Sequence, residues 1–138
     1  PFARPFDRIL VDAPCSGTGT LARHPEIRWR LHAEQFPEFH ALQVAMLSSA
    51  LKQLAPGGRL VYSTCSMEPE ENEKVVGEAL AAAPEIKQVV AKEIANTLMA
   101  RTAPGIDPHN LIDPTGQFRI SPADHKTDGF FAAVLTKS

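Results

Sequence analysis

Short apolar runs alternate with helical patterns along the chain, and this order predicts an α/β fold. Residues 6–12 hold three consecutive apolar residues bounded by charges, which predicts a strand buried on both faces. Over 34–54 apolar residues recur at three- and four-residue steps, which predicts a helix that Pro56-Gly57-Gly58 ends. A second buried strand is predicted over 59–63.

The second half continues the same alternation. A helix is predicted from about Pro69, because Glu70, Glu71 and Glu73 would occupy a first turn that favours negative charge. Asn72 and Glu73 could instead support the preceding loop. The remaining predicted elements are a strand over 86–90, a short helix over 91–103, an excursion over 104–128 with a brief strand at 118–120, and a last strand over 130–136. This order predicts an open sheet with right-handed crossovers, in one unit over 1–138.

Composition narrows the function classes. The 138 residues include 14 Lys+Arg and 16 Asp+Glu, a net charge of −2, which argues against a generally basic nucleic-acid coat. No apolar run is long enough to span a membrane, so no membrane partner is expected. The two cysteines are too few for a disulfide scaffold and form no metal-ligand cluster, which favours a reducing, cytoplasmic setting and no metal.

Two predicted strands end in cysteine-containing loops. Asp12 and Cys15 follow the first strand, and Cys65 follows the second. If the strands are parallel neighbours, both thiols lie at the carboxyl edge of the sheet, where ligands bind in such folds. A thiolate there could perform covalent chemistry on an electrophilic carbon. The alternative is that both cysteines are small buried hydrophobic residues.

Four motifs in order resemble one family. DAPCSGTG at 12–19, STCS at 63–66, EPEENE at 68–73 and DGFF at 128–131 are similar to the Sun family of RNA cytosine-5 methyltransferases, which use S-adenosylmethionine. The resemblance implies a Rossmann-like class I methyltransferase fold, here the C-terminal half of a mostly parallel sheet with an antiparallel last strand. It also implies 16S ribosomal RNA as the partner.

The resemblance also assigns roles to residues. Cys65 would add to carbon 6 of cytosine, Cys15 would assist product release, and Asp12 would hold the polar edge of the base. In DNA cytosine-5 methyltransferases the Pro-Cys cysteine attacks, so exchanged roles for Cys15 and Cys65 stay open. The residues that the resemblance implies at the cofactor are Asp12 and Pro14, and those at the substrate are Ser16, Arg23, His24 and Thr64.

The family pattern further implies that the cofactor-binding first strands and an RNA-binding domain are absent from 1–138. We therefore expect an incomplete S-adenosylmethionine site and self-association through the exposed edge of the first strand. A non-catalytic RNA-binding or assembly module on the same half-fold is the alternative function. A thiol enzyme that pairs Cys15 with His24 is a more distant one.

The most basic stretch of the chain, residues 23–32, contains the single tryptophan. Arginines could contact phosphate and Trp29 could stack on a base, as in RNA recognition. We predict, however, that Trp29 packs in the core. Gly17 and Gly19 form too weak a motif for a phosphate loop.

Overall fold

A computed structural model describes residues 4–138; residues 1–3, which belong to the predicted unit 1–138, lie outside the described residues. The sequence forms alternating strands and helices, as its pattern predicts. In chain order they are β1 (Phe6–Asp12), α1 (Ile27–Arg30), α2 (Gln35–Lys52), β2 (Leu54–Thr64), α3 (Glu73–Ala82), β3 (Ile86–Gln88), α4 (Ala91–Met99), β4 (Gln117–Ile120), α5 (Pro122–His125) and β5 (Phe130–Lys137).

The strands form one five-stranded sheet. Its order is β1-β2-β5-β3, and β4 also pairs with β5. β1 and β2 are parallel, whereas β5 is antiparallel to β2, β3 and β4. Four strands therefore share one direction and only the last opposes them, which confirms the predicted antiparallel last strand.

Helices cover both faces of the sheet. Alternate residues of β5 point to opposite faces, so Ala133 and Leu135 join one cluster and Val134 packs against another. The larger cluster lies under α2 and α3, and the smaller one lies under α4. The buried members of the larger cluster are Val11, Ala13, Leu47, Leu51, Leu54, Leu60, Tyr62, Val75, Val76, Ala79, Ile86, Phe131, Ala133 and Leu135.

The prediction that the first strand is buried on both faces is wrong. β1 lies at the end of the sheet and pairs with β2 along one edge. Of its residues only Val11 is buried, and Leu10 is 69% exposed. An apolar run fixes the strand conformation but does not specify how many neighbours cover the strand.

Two helix boundaries also differ from their predictions. α2 ends at Lys52, and Leu54 is a buried core residue that pairs with Phe6 rather than the last residue of the helix. α3 begins at Glu73, because residues 69–72 form a turn in which Glu71 and Asn72 are fully buried. Of the acidic residues predicted in the first turn of the helix, only Glu73 therefore lies in α3.

Residues 4–138 contain neither a membrane-spanning helix nor a cluster of metal-ligating side chains. None of the described helices is both long enough and apolar enough to cross a bilayer. Within the same residues no three His, Cys, Asp or Glu side chains are grouped as a metal site.

Candidate active site

The two cysteines meet at the carboxyl ends of β1 and β2. The parallel register aligns Asp12 with Ser63, so the loops that follow leave the sheet side by side. The Sγ atoms of Cys15 and Cys65 are 3.4 Å apart, and both residues are partly exposed. The predicted meeting of the thiols at one sheet edge is confirmed.

The contact between the thiols makes them chemically different. Hydrogen bonding from Cys15 is the largest influence on Cys65 and lowers the pKa of its thiol to about 7, despite opposing effects of burial and of the Asp12 and Glu71 carboxylates. The same hydrogen bond, together with burial, raises the pKa of Cys15 far above its ordinary value. Near neutral pH a substantial fraction of Cys65 is therefore thiolate, whereas Cys15 keeps its proton.

An exposed carboxylate lies beside the thiols. Asp12 is the last residue of β1, and its Oδ1 accepts a hydrogen bond of 2.9 Å from the Ser63 hydroxyl. The backbone N–H of Ala13 also donates to the Ser63 carbonyl, at 2.9 Å. The carboxylate is thus fixed by β2 while its outer oxygen remains available to a ligand.

A second carboxylate lies buried beneath the cysteine loops. Glu71 accepts hydrogen bonds at Oε1 from the Ser16 backbone N–H (2.8 Å) and from Gln43 Nε2 (3.0 Å). Its Oε2 accepts from the hydroxyls of Ser16 and Ser66 (2.5 Å for Ser66). These four residues, Ser16, Gln43, Ser66 and Glu71, are termed the carboxylate cluster.

Further hydrogen bonds hold the turn that carries Glu71. The Thr64 hydroxyl donates to Asn72 Oδ1 at 2.6 Å, and Asn72 Nδ2 donates to the Ser66 carbonyl at 2.9 Å. The Tyr62 hydroxyl donates to the Glu71 carbonyl at 2.7 Å, and burial raises the pKa of that phenol. The second cysteine loop and the turn are therefore linked at several points.

Backbone contacts join a third segment to the two loops. The Gly19 N–H donates to the Cys65 carbonyl at 2.9 Å, and the Gly129 N–H donates to the Gly19 carbonyl at 2.7 Å. A Cβ on Gly19 would lie 2.7 Å from the Cys65 carbonyl oxygen and closer still to that of Gly129. Only a glycine permits this approach.

Comparison with known proteins identifies the family. A family model described as 16S rRNA methyltransferase RsmB/F matches residues 2–136. The chain belongs to that family. It is 40% identical over 132 residues to the ribosomal RNA small subunit methyltransferase B of Vibrio cholerae and 41% identical over 132 residues to that of Vibrio vulnificus.

Each of these matches covers 96% of this chain and 26% of the relative, so the chain spans about a quarter of the length of the curated relatives. Among solved structures it resembles a methyltransferase homolog protein from Pyrococcus horikoshii, with a TM-score of 0.68, 33% identity, and coverage of 98% of this chain and 40% of that one. It also resembles NSun6 from Pyrococcus horikoshii with SFG, with a TM-score of 0.73, 28% identity, and coverage of 99% and 31%. The expected Rossmann-like methyltransferase fold is confirmed.

Each of the four predicted substrate residues contacts another residue of the chain. Ser16 and Thr64 are buried, and their hydroxyls bind Glu71 and Asn72. Arg23 pairs with Asp128 in the turn before β5, and His24 Nδ1 lies 3.2 Å from Glu26. Among the described contacts, those of Arg23 and His24 do not reach the cysteine pair. Pro14, which was predicted at the cofactor, accepts a hydrogen bond of 2.9 Å at its carbonyl from Gln43.

The prediction that Trp29 packs in the core is wrong. It lies in the four-residue helix α1 and is 84% exposed. None of the four residues of that helix is buried, so the tryptophan contributes no core packing. The exposed indole is flanked in the sequence by Arg28 and Arg30.

Sequence reasoning missed Glu71 and Gln43. In the sequence Glu71 is one of several glutamates, and Gln43 is one polar position on an amphipathic helix. Both are fully buried. Glu71 binds Ser16, which is 55 positions away along the chain, and Gln43 binds Pro14 and Glu71, which are 29 and 28 positions away. Periodicity carries no information about contacts of that separation.

Proposed function

We propose that this chain is the cysteine-bearing part of an S-adenosylmethionine-dependent enzyme that methylates carbon 5 of cytosine in ribosomal RNA. The 3.4 Å contact between Cys15 and Cys65 beside Asp12 carries the proposal. It brings a thiol of lowered pKa, a second thiol that donates to it and a carboxylate together at one edge of the sheet. The curated relatives are ribosomal RNA small subunit methyltransferases, which supports 16S ribosomal RNA as the substrate.

Cys65 provides the nucleophile in this proposal. Its sulfur forms a bond to carbon 6 of the cytosine, and the electron pair of the C5–C6 double bond moves into the ring and toward carbon 5. Asp12 holds the ring-nitrogen and amino edge of the base, which stabilises the charge that develops there. Carbon 5 thereby becomes able to accept a methyl group.

Cys15 acts at the end of the reaction. Once carbon 5 carries the methyl group, its hydrogen leaves as a proton to a solvent water, the C5–C6 double bond forms again, and the bond between carbon 6 and the Cys65 sulfur breaks. Cys15 lies against the departing sulfur, so its thiol can donate a hydrogen bond that stabilises the released thiolate and thereby assists elimination. Cys65 returns to its starting state.

S-adenosylmethionine would supply the methyl group on a positively charged sulfonium. The exposed carboxylate of Asp12 suits a cationic group at the end of β1, and we propose that Asp12 and the nearby Pro14 border the donor. SFG, which is bound in the NSun6 structure, is an analogue of S-adenosylmethionine and supports this donor.

Paired cysteine substitutions test the proposal. In the natural protein that carries this chain, with unmodified 16S ribosomal RNA transcript and S-adenosylmethionine, we expect Cys65→Ser to abolish both methyl transfer and covalent adduct. We expect Cys15→Ser to accumulate a protein–RNA adduct that survives denaturing electrophoresis. The reverse pattern would assign attack to Cys15. If the unsubstituted protein formed no adduct and transferred no methyl group, the result would favour a non-catalytic module.

A further inference from the structure

The residues that follow the two cysteines share one buried acceptor. Ser16 directly follows Cys15, Ser66 directly follows Cys65, and both hydroxyls donate to Oε2 of Glu71. The Ser16 backbone N–H also donates to Glu71 Oε1, at 2.8 Å. One carboxylate thus bridges two loops whose cysteines are 50 positions apart in the sequence.

The bridge is enclosed and anchored from a third direction. Glu71 is fully buried, and so is Gln43, whose amide donates to Glu71 Oε1 at 3.0 Å and to the Pro14 carbonyl at 2.9 Å. Gln43 lies on α2, so the first cysteine loop is tied both to Glu71 and to a core helix. A buried carboxylate needs such a set of donors, and this one has four.

We propose that Glu71 is a positioning residue that sets the spacing of Cys15 and Cys65. It contacts neither sulfur through a hydrogen bond and acts through Ser16 and Ser66. The importance of this spacing for catalysis rests on the proposed function. The structural role of Glu71 in setting the spacing is independent of it.

The alternative to positioning is a purely electrostatic effect, and the titration of Cys65 separates the two. The carboxylate of Glu71 by itself raises the pKa of Cys65, and so does that of Asp12, whereas the hydrogen bond from Cys15 lowers it most. If Glu71 acted only through its charge, its removal would lower the pKa of Cys65. If Glu71 holds the thiols together, its removal weakens the Cys15 contact and raises that pKa.

Glu71→Gln is the decisive variant because it keeps the size of the side chain. An amide offers one oxygen and one NH₂ group, so it cannot accept from all four donors. Glu70→Gln is the matched control: Glu70 is the adjacent residue, and its side chain is bound to Lys74 at 2.5 Å rather than to the cysteine loops.

The measurement is the pH profile of iodoacetamide alkylation at Cys65, resolved from Cys15 by peptide mass spectrometry. For the unsubstituted chain and for Glu70→Gln we expect a midpoint of about 7. For Glu71→Gln we expect a rise of more than one pH unit, toward the ordinary cysteine value of about 8.5. A folded Glu71→Gln chain whose midpoint stays at the control value or falls below it would overturn the proposal.

A milder variant decides the question if circular dichroism shows that Glu71→Gln does not fold. The double substitution Ser16→Ala with Ser66→Ala removes the two hydroxyl tethers and keeps the carboxylate. We expect a rise of at least half a pH unit, and an unchanged midpoint would refute the positioning role. The assay contains neither RNA nor methyl donor, so its failure and a failure of the adduct experiment are independent results.

Discussion

At the scale of single residues, Trp29 has the surroundings of a ligand-binding side chain rather than of a core residue. It is 84% exposed and lies between two arginines on a helix of four residues. An exposed indole can stack on an unpaired base, and neighbouring guanidinium groups can contact phosphate. In a chain with a net charge of −2, this local patch is the feature that suits RNA best.

We therefore expect Trp29→Ala to weaken binding of single-stranded RNA by about 1–3 kcal/mol, the usual contribution of one stacked base. Trp29→Phe keeps an aromatic ring and serves as the control, with most of the affinity retained. Fluorescence anisotropy with labelled RNA measures the effect in the natural protein that carries this chain. A fall in thermal stability without any change in RNA affinity would contradict the stacking role.

At the scale of elements, the site depends on the close approach of three segments that each follow or precede a strand. Gly19 lies between the Cys65 loop and the turn at Gly129, and hydrogen bonds of 2.9 and 2.7 Å join it to them. The atoms nearest to it are backbone atoms, which cannot rotate away as a side chain can. Added volume at Gly19 must therefore displace a loop.

A pair of glycine substitutions tests this packing. We expect Gly19→Ala to lower the free energy of unfolding by about 1–3 kcal/mol, as overpacking does. Gly77 lies within α3 with open space around its Cα, so Gly77→Ala should raise the free energy of unfolding by roughly 0.5–1 kcal/mol. Urea denaturation followed by circular dichroism measures both. Equal effects of the two substitutions would contradict the close-approach argument.

The elements also show what local sequence determines. The order and type of the main strands and helices follow from periodicity, because each depends on contacts within a few positions. The turn at 69–72 could not be predicted from its charges, because Glu71 is buried by Ser16 and Gln43 on other elements. Likewise, the apolar residues of β1 did not by themselves indicate that it lies at the edge of the sheet, which only the family resemblance implied.

Some features of the candidate site could likewise be predicted from the sequence, and others could not. The meeting of Cys15 and Cys65 could be predicted, since parallel neighbouring strands end at the same edge. The buried hydroxyls of Ser16 and Thr64 could not, because their partners Glu71 and Asn72 are defined by the tertiary fold.

At the scale of the whole molecule, β1 is an end strand of the sheet and exposes an apolar residue near its outer edge. Leu10 is 69% exposed there. Leu10 also lines, with Ile9, Val11 and the α2 residues Met46 and Ala50, an open groove of about 770 Å³ along this edge. An apolar strand edge of this kind favours pairing with another strand.

We accordingly expect the chain to self-associate with increasing concentration in sedimentation velocity experiments. Leu10→Lys should shift the distribution toward the monomer, because a lysine on an edge strand opposes pairing. Ile106→Lys, which changes an exposed apolar residue in a loop outside the sheet, should leave association unchanged. A single monomeric species at every concentration would refute the expectation.

The separation of the two cysteines along the chain has a consequence for newly made protein. The sulfur of Cys65 is activated by a residue 50 positions upstream, so activation requires β1 and β2 to be joined. A nascent or heat-denatured chain carries an ordinary thiol with a pKa near 8.5, which is mostly protonated at neutral pH. The polypeptide therefore leaves the ribosome without an unusually acidic thiol, and folding itself lowers the pKa of Cys65.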